Sequence, residues 1–326
     1  MKPALQPSAR ISRRRLMGCG AASALFAPLP LWAQDAAKPA NGGNDKNNVA
    51  AATDTQQHLT VQVMINGKGP FDFVVDTGAD RTVIADDVAT ALGMSLGKQV
   101  NVEGVVRTIP AQTVRLESIS VGPVERNDLV VPVLPRALLW ASGYLGLDVI
   151  DGYRVTLDFK NHELRVSTPA PRYFILYSPL NQTRISAFGR SGHLRAVNCR
   201  VDGAVTTAFL DTGAEVSAGN AKLLEAMLAR DPSCLSQLTV PLSGVTGGLI
   251  QGRVASVRDI RFGPLVFSTC EIVIADLQIF DIWDLSDTPA LLIGMNFLRQ
   301  FNQVSIDYGR KELGFDLASL LVARNG

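Results

Sequence analysis

The sequence predicts a mainly β protein built from two homologous lobes in one chain. Three observations carry that expectation. A β-hairpin running into the string Asp-Thr-Gly-Ala occurs twice, at Asp76-Thr77-Gly78-Ala79 and at Asp211-Thr212-Gly213-Ala214. Further landmarks follow each hairpin in the same order. Most of each half reads as short apolar-alternating segments broken by Gly and Pro turns, the pattern of a β domain.

The chain has 326 residues, 47% apolar and 19% charged, enough for two domains that each bury a core. Its first segment, residues 1–33, is read as targeting sequence. Arg13-Arg14-Arg15 stands directly before the apolar stretch Gly18 to Trp32, which resembles a twin-arginine export signal with cleavage near Ala33 and the periplasm as destination. That stretch contains Pro28 and Pro30 and is shorter than the roughly 20 residues a spanning helix needs, so no stable membrane anchor is expected. Without this basic segment the chain is slightly acidic, which argues against nucleic acid as a partner. Residues 34–56 are polar and lack periodicity, and they read as a disordered leader.

The N-terminal lobe is expected over 57–168. Leu59 to Ile65 alternates, turns at Asn66-Gly67, and returns through Phe71-Asp72-Phe73-Val74-Val75 into Asp76. A short helix is expected over Asp86–Leu92, closed by Gly93. The C-terminal lobe, 169–321, follows the linker Ser167-Thr168-Pro169-Ala170-Pro171. Leu194 to Val201 turns at Asp202-Gly203 and returns through Thr207-Ala208-Phe209-Leu210 into Asp211. A helix capped by Asn220 buries Leu223 and Met227. Ser118 to Pro123 answers Asp259 to Pro264, Tyr144-Leu145-Gly146 answers Leu292-Ile293-Gly294, and Val155 to Phe159 answers Val304 to Tyr308.

A given four-residue string arises at about one position in 10⁵ from average composition, so two copies at the ends of matching hairpins are not coincidence. An Asp-Gly turn at a strand end usually satisfies only its own backbone. Two that repeat invite a joint reading. Carboxylates held about 3 Å apart cannot both ionise cheaply, so the pair shares one proton. One then acts as base towards a bridging water and the other as acid.

These segments resemble the aspartic peptidases, specifically the retropepsin-like branch, over about residues 55–320. That family is the general example of two carboxyls sharing a proton. The resemblance implies closed-barrel lobes in a pepsin-like bilobal fold, with Asp76 and Asp211 as catalytic residues, peptide or unfolded protein as substrate, and no cofactor or metal. It implies a locking role for Thr77 and Thr212, and a close backbone approach at Gly78 and Gly213. Two copies in one chain imply a monomer; a dyad formed between two chains is the alternative, and a non-catalytic peptide-binding or chaperone-like module is another. Ala79 and Ala214 lack the hydroxyl that pepsin-like enzymes place there, so the ionised dyad is less stabilised and an optimum of about pH 4.5–6.5 is expected. Leu147 and Met295 stand where retropepsins carry a basic residue. As flap, the second copy offers Gly244, Gly247 and Gly248, and the first only the region around Gly104. His58, His162 and His193 are isolated and form no metal-ligand spacing. In an oxidising compartment Cys199, Cys234 and Cys270 allow one disulfide and one buried thiol, and their spacing does not choose the pairing.

Overall fold

The computed structural model describes residues 48–53, 59–169, 182–188, 195–196, 199–263 and 265–317. The export segment and most of the expected leader lie outside these residues.

In the first half the strands are β1 (Asn48–Thr53), β2 (Leu59–Ile65), β3 (Lys68–Val75), β4 (Val83–Ala85), β5 (Gln99–Glu103), β6 (Thr108–Val121), β7 (Val124–Leu134), β8 (Gly143–Leu145), β9 (Arg154–Asp158) and β10 (Glu163–Ser167). Six of them close a barrel: β2 pairs β3, β3 pairs β8, β8 pairs β4, β4 pairs β7, β7 pairs β6, and β6 returns to β2. Closure removes the sheet edges. Asn66 and Gly67 both take positive φ, 51° and 69°, as the tight turn between β2 and β3 requires. Alternation places Val61, Val63 and Ile65 inside with Phe73, Leu116, Ile119 and Leu145, each fully or almost fully buried, and each such side chain contributes about 1.5–3 kcal/mol. Helix α1 (Asp86–Ala91) ends before Gly93, whose φ is 67°.

The second half repeats this plan with β11 (Gln182–Phe188), β12 (Arg195–Ala196), β13 (Cys199–Val201), β14 (Ala204–Val205), β15 (Thr207–Leu210), β16 (Ala218–Gly219), β17 (Leu235–Leu242), β18 (Ile250–Phe262), β19 (Leu265–Ile274), β20 (Ala290–Ile293), β21 (Phe301–Asp307) and β22 (Glu312–Leu317). Here β12 pairs β15, β15 pairs β20, β20 pairs β16, β16 pairs β19, β19 pairs β18, and β18 pairs β13. After the two short helices α2 (Arg136–Leu139) and α3 (Leu147–Ile150) of the first half comes α4 (Ala221–Leu228). Its cap is the expected one, because the Asn220 carboxamide oxygen accepts from Leu223 N and the helix buries Leu223 and Met227. Cys199, Cys234 and Cys270 are all free thiols.

The lobes join through one antiparallel sheet in the order β1, β10, β9, β21, β22, β11. Its centre pairs Thr156 with Ser305, the residue that answers Thr156 in the other copy, so the approximate two-fold axis passes between them. Asp158, buried in this sheet, accepts from Gln303 of the second copy at 2.6 Å and from Arg165 at 3.0 Å. Strand β1 departs from the expectation of a disordered leader. Its backbone pairs with both β10 and β2, and a sheet edge of this kind organises a segment that has no apolar periodicity of its own.

Candidate active site

The two Asp-Thr-Gly-Ala turns meet at the lobe junction. Strand β3 delivers Asp76, whose backbone N–H donates to Leu145 O at 3.1 Å, and β15 delivers Asp211, whose N–H donates to Ile293 O at 3.0 Å. Within each turn a glycine N–H donates to the aspartate before it: Gly78 N to Asp76 Oδ1 at 2.8 Å, and Gly213 N to Asp211 Oδ1 at 2.9 Å. Each glycine also lies against the opposite carboxylate. A Cβ added at Gly78 would stand 2.7 Å from Asp211 Cγ, and one at Gly213 would stand 2.7 Å from Asp76 Cγ. No other residue fits at either position.

Thr77 and Thr212 clamp the turns together. Thr77 N donates to Thr212 Oγ1 at 3.1 Å and Thr212 N to Thr77 Oγ1 at 3.2 Å. Each hydroxyl then donates across the junction, Thr77 to Leu210 O at 3.0 Å and Thr212 to Val75 O at 2.6 Å. Both side chains are buried, so the polar groups of each turn find their partners across the junction rather than in water.

Asp76 is held well above the usual carboxylate range. Burial is the largest cause, followed by the charge of Asp211 and the hydrogen bond between the two carboxyls; the Gly78 and Ala79 N–H groups pull the other way. Ala79 and Ala214 follow the two glycines with methyl groups in place of hydroxyls. The arrangement suits two carboxyls that share a proton.

Behind each aspartate the chain makes the same crossing. Strand β8 lies between β3 and β4, and β20 lies between β15 and β16, so Gly146 and Gly294 pass under the loops that follow the aspartates. A Cβ at Gly146 would stand 2.5 Å from Arg81 C, and one at Gly294 would stand 2.7 Å from Val216 C. The helices after these glycines, α3 and its counterpart, begin with buried Leu147 and Met295, so the position where retropepsins carry a basic residue closes the floor with apolar packing.

Two polar pairs that sequence reasoning missed hold these crossings. Thr82 donates to Asp148 Oδ1 through N at 2.9 Å and Oγ1 at 2.7 Å, while its hydroxyl accepts from Gly146 N. Ser217 does the same with Asn296, at 2.9 and 2.8 Å, and accepts from Gly294 N. The available signal was the repeat itself, because Gly146-Leu147-Asp148 aligns with Gly294-Met295-Asn296. Burial pushes the Asp148 carboxyl up, opposed by the Thr82 hydrogen bonds and the Arg81 charge.

The glycines considered as flap residues come together, one set from each lobe. The β5–β6 hairpin carries Gly104-Val105-Val106-Arg107 at its tip, and the β17–β18 hairpin carries Gly244, Val245, Thr246, Gly247 and Gly248. Both copies therefore have a hairpin here, although only the second is glycine-rich. Gly104 backs directly onto Thr246, a Cβ at Gly244 would stand 2.6 Å from Val105 Cγ2, and one at Gly248 would stand 3.0 Å from Val106 Cγ1.

Among the described residues, no group of three or more His, Cys, Asp or Glu is placed to hold a metal ion, and no helix is long and apolar enough to cross a membrane. A family model described as an aspartyl protease matches residues 61–149 and 197–297, one region in each lobe. No curated protein matches the chain.

Proposed function

The chain belongs to the aspartyl protease family, and from that premise we propose that it is an aspartic endopeptidase in which a water bound between Asp76 and Asp211 attacks the scissile peptide carbonyl. The observation that carries this reading is the mutual approach of the two turns, each glycine against the other lobe's carboxylate, within one chain. That approach favours a dyad inside a monomer over one formed between two chains.

The ionised carboxylate takes a proton from the water as it attacks, and the protonated partner donates a hydrogen bond to the developing oxyanion. The proton then passes to the leaving nitrogen. Thr77 and Thr212 keep the carboxyls at a fixed separation, and the buried floor keeps them poorly solvated, which raises the proton affinity of the pair. Peptide or unfolded protein is the substrate class that membership of the family supports. The Arg13-Arg14 pair and the apolar stretch after it support export to the periplasm by a twin-arginine route, and a reporter fusion without these arginines should stay in the cytoplasm.

The test is cleavage of an unfolded protein by the wild-type chain and by Asp76→Asn and Asp211→Asn, with products identified by mass spectrometry. Either substitution should abolish cleavage. Cleavage at the wild-type rate in both would overturn the dyad, and binding without cleavage by the wild type would mark a peptide-binding module instead.

A further inference from the structure

The second lobe carries an arginine cluster that the first lobe lacks. Strand register places four residues in one row across β14, β13, β18 and β19: Val205 opposite Arg200, Arg200 opposite Arg261, and Arg261 opposite Val266. Residues paired in this way point to one face of a sheet, and all four are exposed. Arg258, three residues before Arg261, is exposed as well. A cavity of about 430 Å³ opens here, lined by Arg200, Asp202, Gly203, Arg258, Asp259 and Arg261.

Two carboxylates stand among the arginines, and both are already engaged. Asp202 Oδ1 accepts from the backbone N–H groups of Arg258 and Asp259 at 2.8 and 3.0 Å, and Asp259 Oδ2 pairs with Arg261 at 3.0 Å. Arg200 donates to Gly203 O at 3.1 Å. Among the described residues, neither Arg200 nor Arg258 has a carboxylate within ion-pair distance.

The fold does not demand this cluster. In the first copy the same register holds Met64 opposite Ser120 and Ser120 opposite Glu125, and Glu117 stands where Arg258 does. The turn needs no arginine either, since Asn66 Oδ1 accepts from Ser118 N as Asp202 Oδ1 does from Asp259 N. Like charges directly opposite each other on paired strands are destabilising, so the Arg200–Arg261 pair carries a cost that the other copy avoids. An anion between the two guanidinium groups removes that cost, and their fork of donors matches the oxygens of a phosphate. The exposed valines at either end of the row add apolar contact beside the charge, which a lipid surface can use and a free ion cannot.

We propose that Arg200, Arg258 and Arg261 bind the phosphodiester headgroups of an anionic phospholipid surface, with Val205 and Val266 resting against it on either side. The attachment is peripheral and reversible. It involves neither Asp76 nor Asp211, so it stands or falls apart from the peptidase reading.

The test is co-sedimentation of the full chain with phosphatidylcholine vesicles made with and without phosphatidylglycerol. The wild type should bind the vesicles that contain phosphatidylglycerol, and less tightly as salt rises. Arg200→Met combined with Arg261→Ser gives the second copy the residues that the first uses in the same register. A basic residue at an anionic surface accounts for roughly fivefold in binding, so this double variant should bind about 25-fold more weakly, and Arg258→Gln alone about fivefold. Lys98→Met combined with Arg115→Met removes the same charge from the first lobe and should bind as the wild type does. Equal weakening in both double variants would overturn the site, because it reports net charge alone. Wild-type binding that is indifferent to phosphatidylglycerol refutes it too. Calorimetric titration with inorganic phosphate separates the sources: arginine-dependent uptake of phosphate without vesicle binding rules out the lipid surface.

Discussion

Replacing Thr212 by Val tests the clamp beneath the aspartates with almost no change of shape. The side chain is buried, and its Oγ1 accepts from Thr77 N at 3.1 Å and donates to Val75 O at 2.6 Å. Valine fills the same space and satisfies neither group. Each buried polar group left without a partner costs about 1–3 kcal/mol, so the two together cost about 2–6 kcal/mol. With a central value near 4 kcal/mol, the melting temperature should fall by about 8–16 °C for a protein of this size class. Thr212→Ser is the control. It keeps the oxygen and loses one methyl group, about 1 kcal/mol. Thermal unfolding followed by circular dichroism at pH 6 measures all three proteins. Peptide cleavage measured alongside should fall by about 10²-fold in Thr212→Val, since a carboxyl displaced by an ångström no longer holds the attacking water in line. The reasoning fails if Thr212→Val melts with the wild type, or if Thr212→Ser loses as much as Thr212→Val.

Three further predictions concern charge. Folding raises the Asp76 carboxyl above its unfolded value, chiefly by burial, so the fold binds more protons there than the unfolded chain. That contribution is fully present below the unfolded value and is lost as pH rises through the folded one. The Asp76 contribution to stability should therefore decline as pH rises above about 4, and Asp76→Asn should be more stable relative to wild type at pH 7 than at pH 4, as denaturant titration at several pH values would show. The rate profile should peak at about pH 4.5–6.5, because a single proton must remain on the pair. Asp148 is raised for the same chief reason, while Asn296 does its work in the other copy without charge. Asp148→Asn should raise the melting temperature at pH 7, with the gain vanishing as pH falls below the unfolded carboxylate range, and Asn296→Asp should lower it at pH 7.

What could be read from the sequence was what the sequence repeats or encodes locally. Asn66-Gly67 and Asp202-Gly203 specify hairpin turns by their tolerance of positive φ, Asn220 caps its helix, and two copies of Asp-Thr-Gly-Ala locate the floor. Gly146 and Gly294 were visible as landmarks, but their reason was not. It lies in a backbone crossing against Arg81 and Val216, and no pattern of polarity reports which loop a strand passes beneath. Strand β1 escaped because its order comes from edges supplied by β2 and β10. The reciprocal hydrogen bonds between Arg107 and Thr246 escaped because two residues so far apart in the chain share only their tertiary neighbours.

The two copies have diverged where the chemistry tolerates it. On the proposed reading, a proton shared between Asp76 and Asp211 would require each carboxyl to see nearly the same surroundings, and the floor is matched contact by contact: glycine against carboxylate, threonine against threonine, Leu145 O and Ile293 O behind. The paired hairpin tips have no such requirement. Between the second lobe's last barrel strands the chain is longer than in the first, and the extra residues build the Phe280 and Trp283 packing on Phe209, with ring centroids 6.2 and 4.2 Å apart, that presents Gln278 to Thr108. The tip of the first hairpin carries Arg107 where the second carries Gly247, so the link between them has one long arm rather than two equal ones. A duplicated chain can do this and an assembly of identical subunits cannot, because in the latter every change at one tip appears at both. The asymmetric Arg107–Thr246 link is thus a consequence of having both lobes in one chain, and it lies among residues that leave the Asp76 and Asp211 turns untouched.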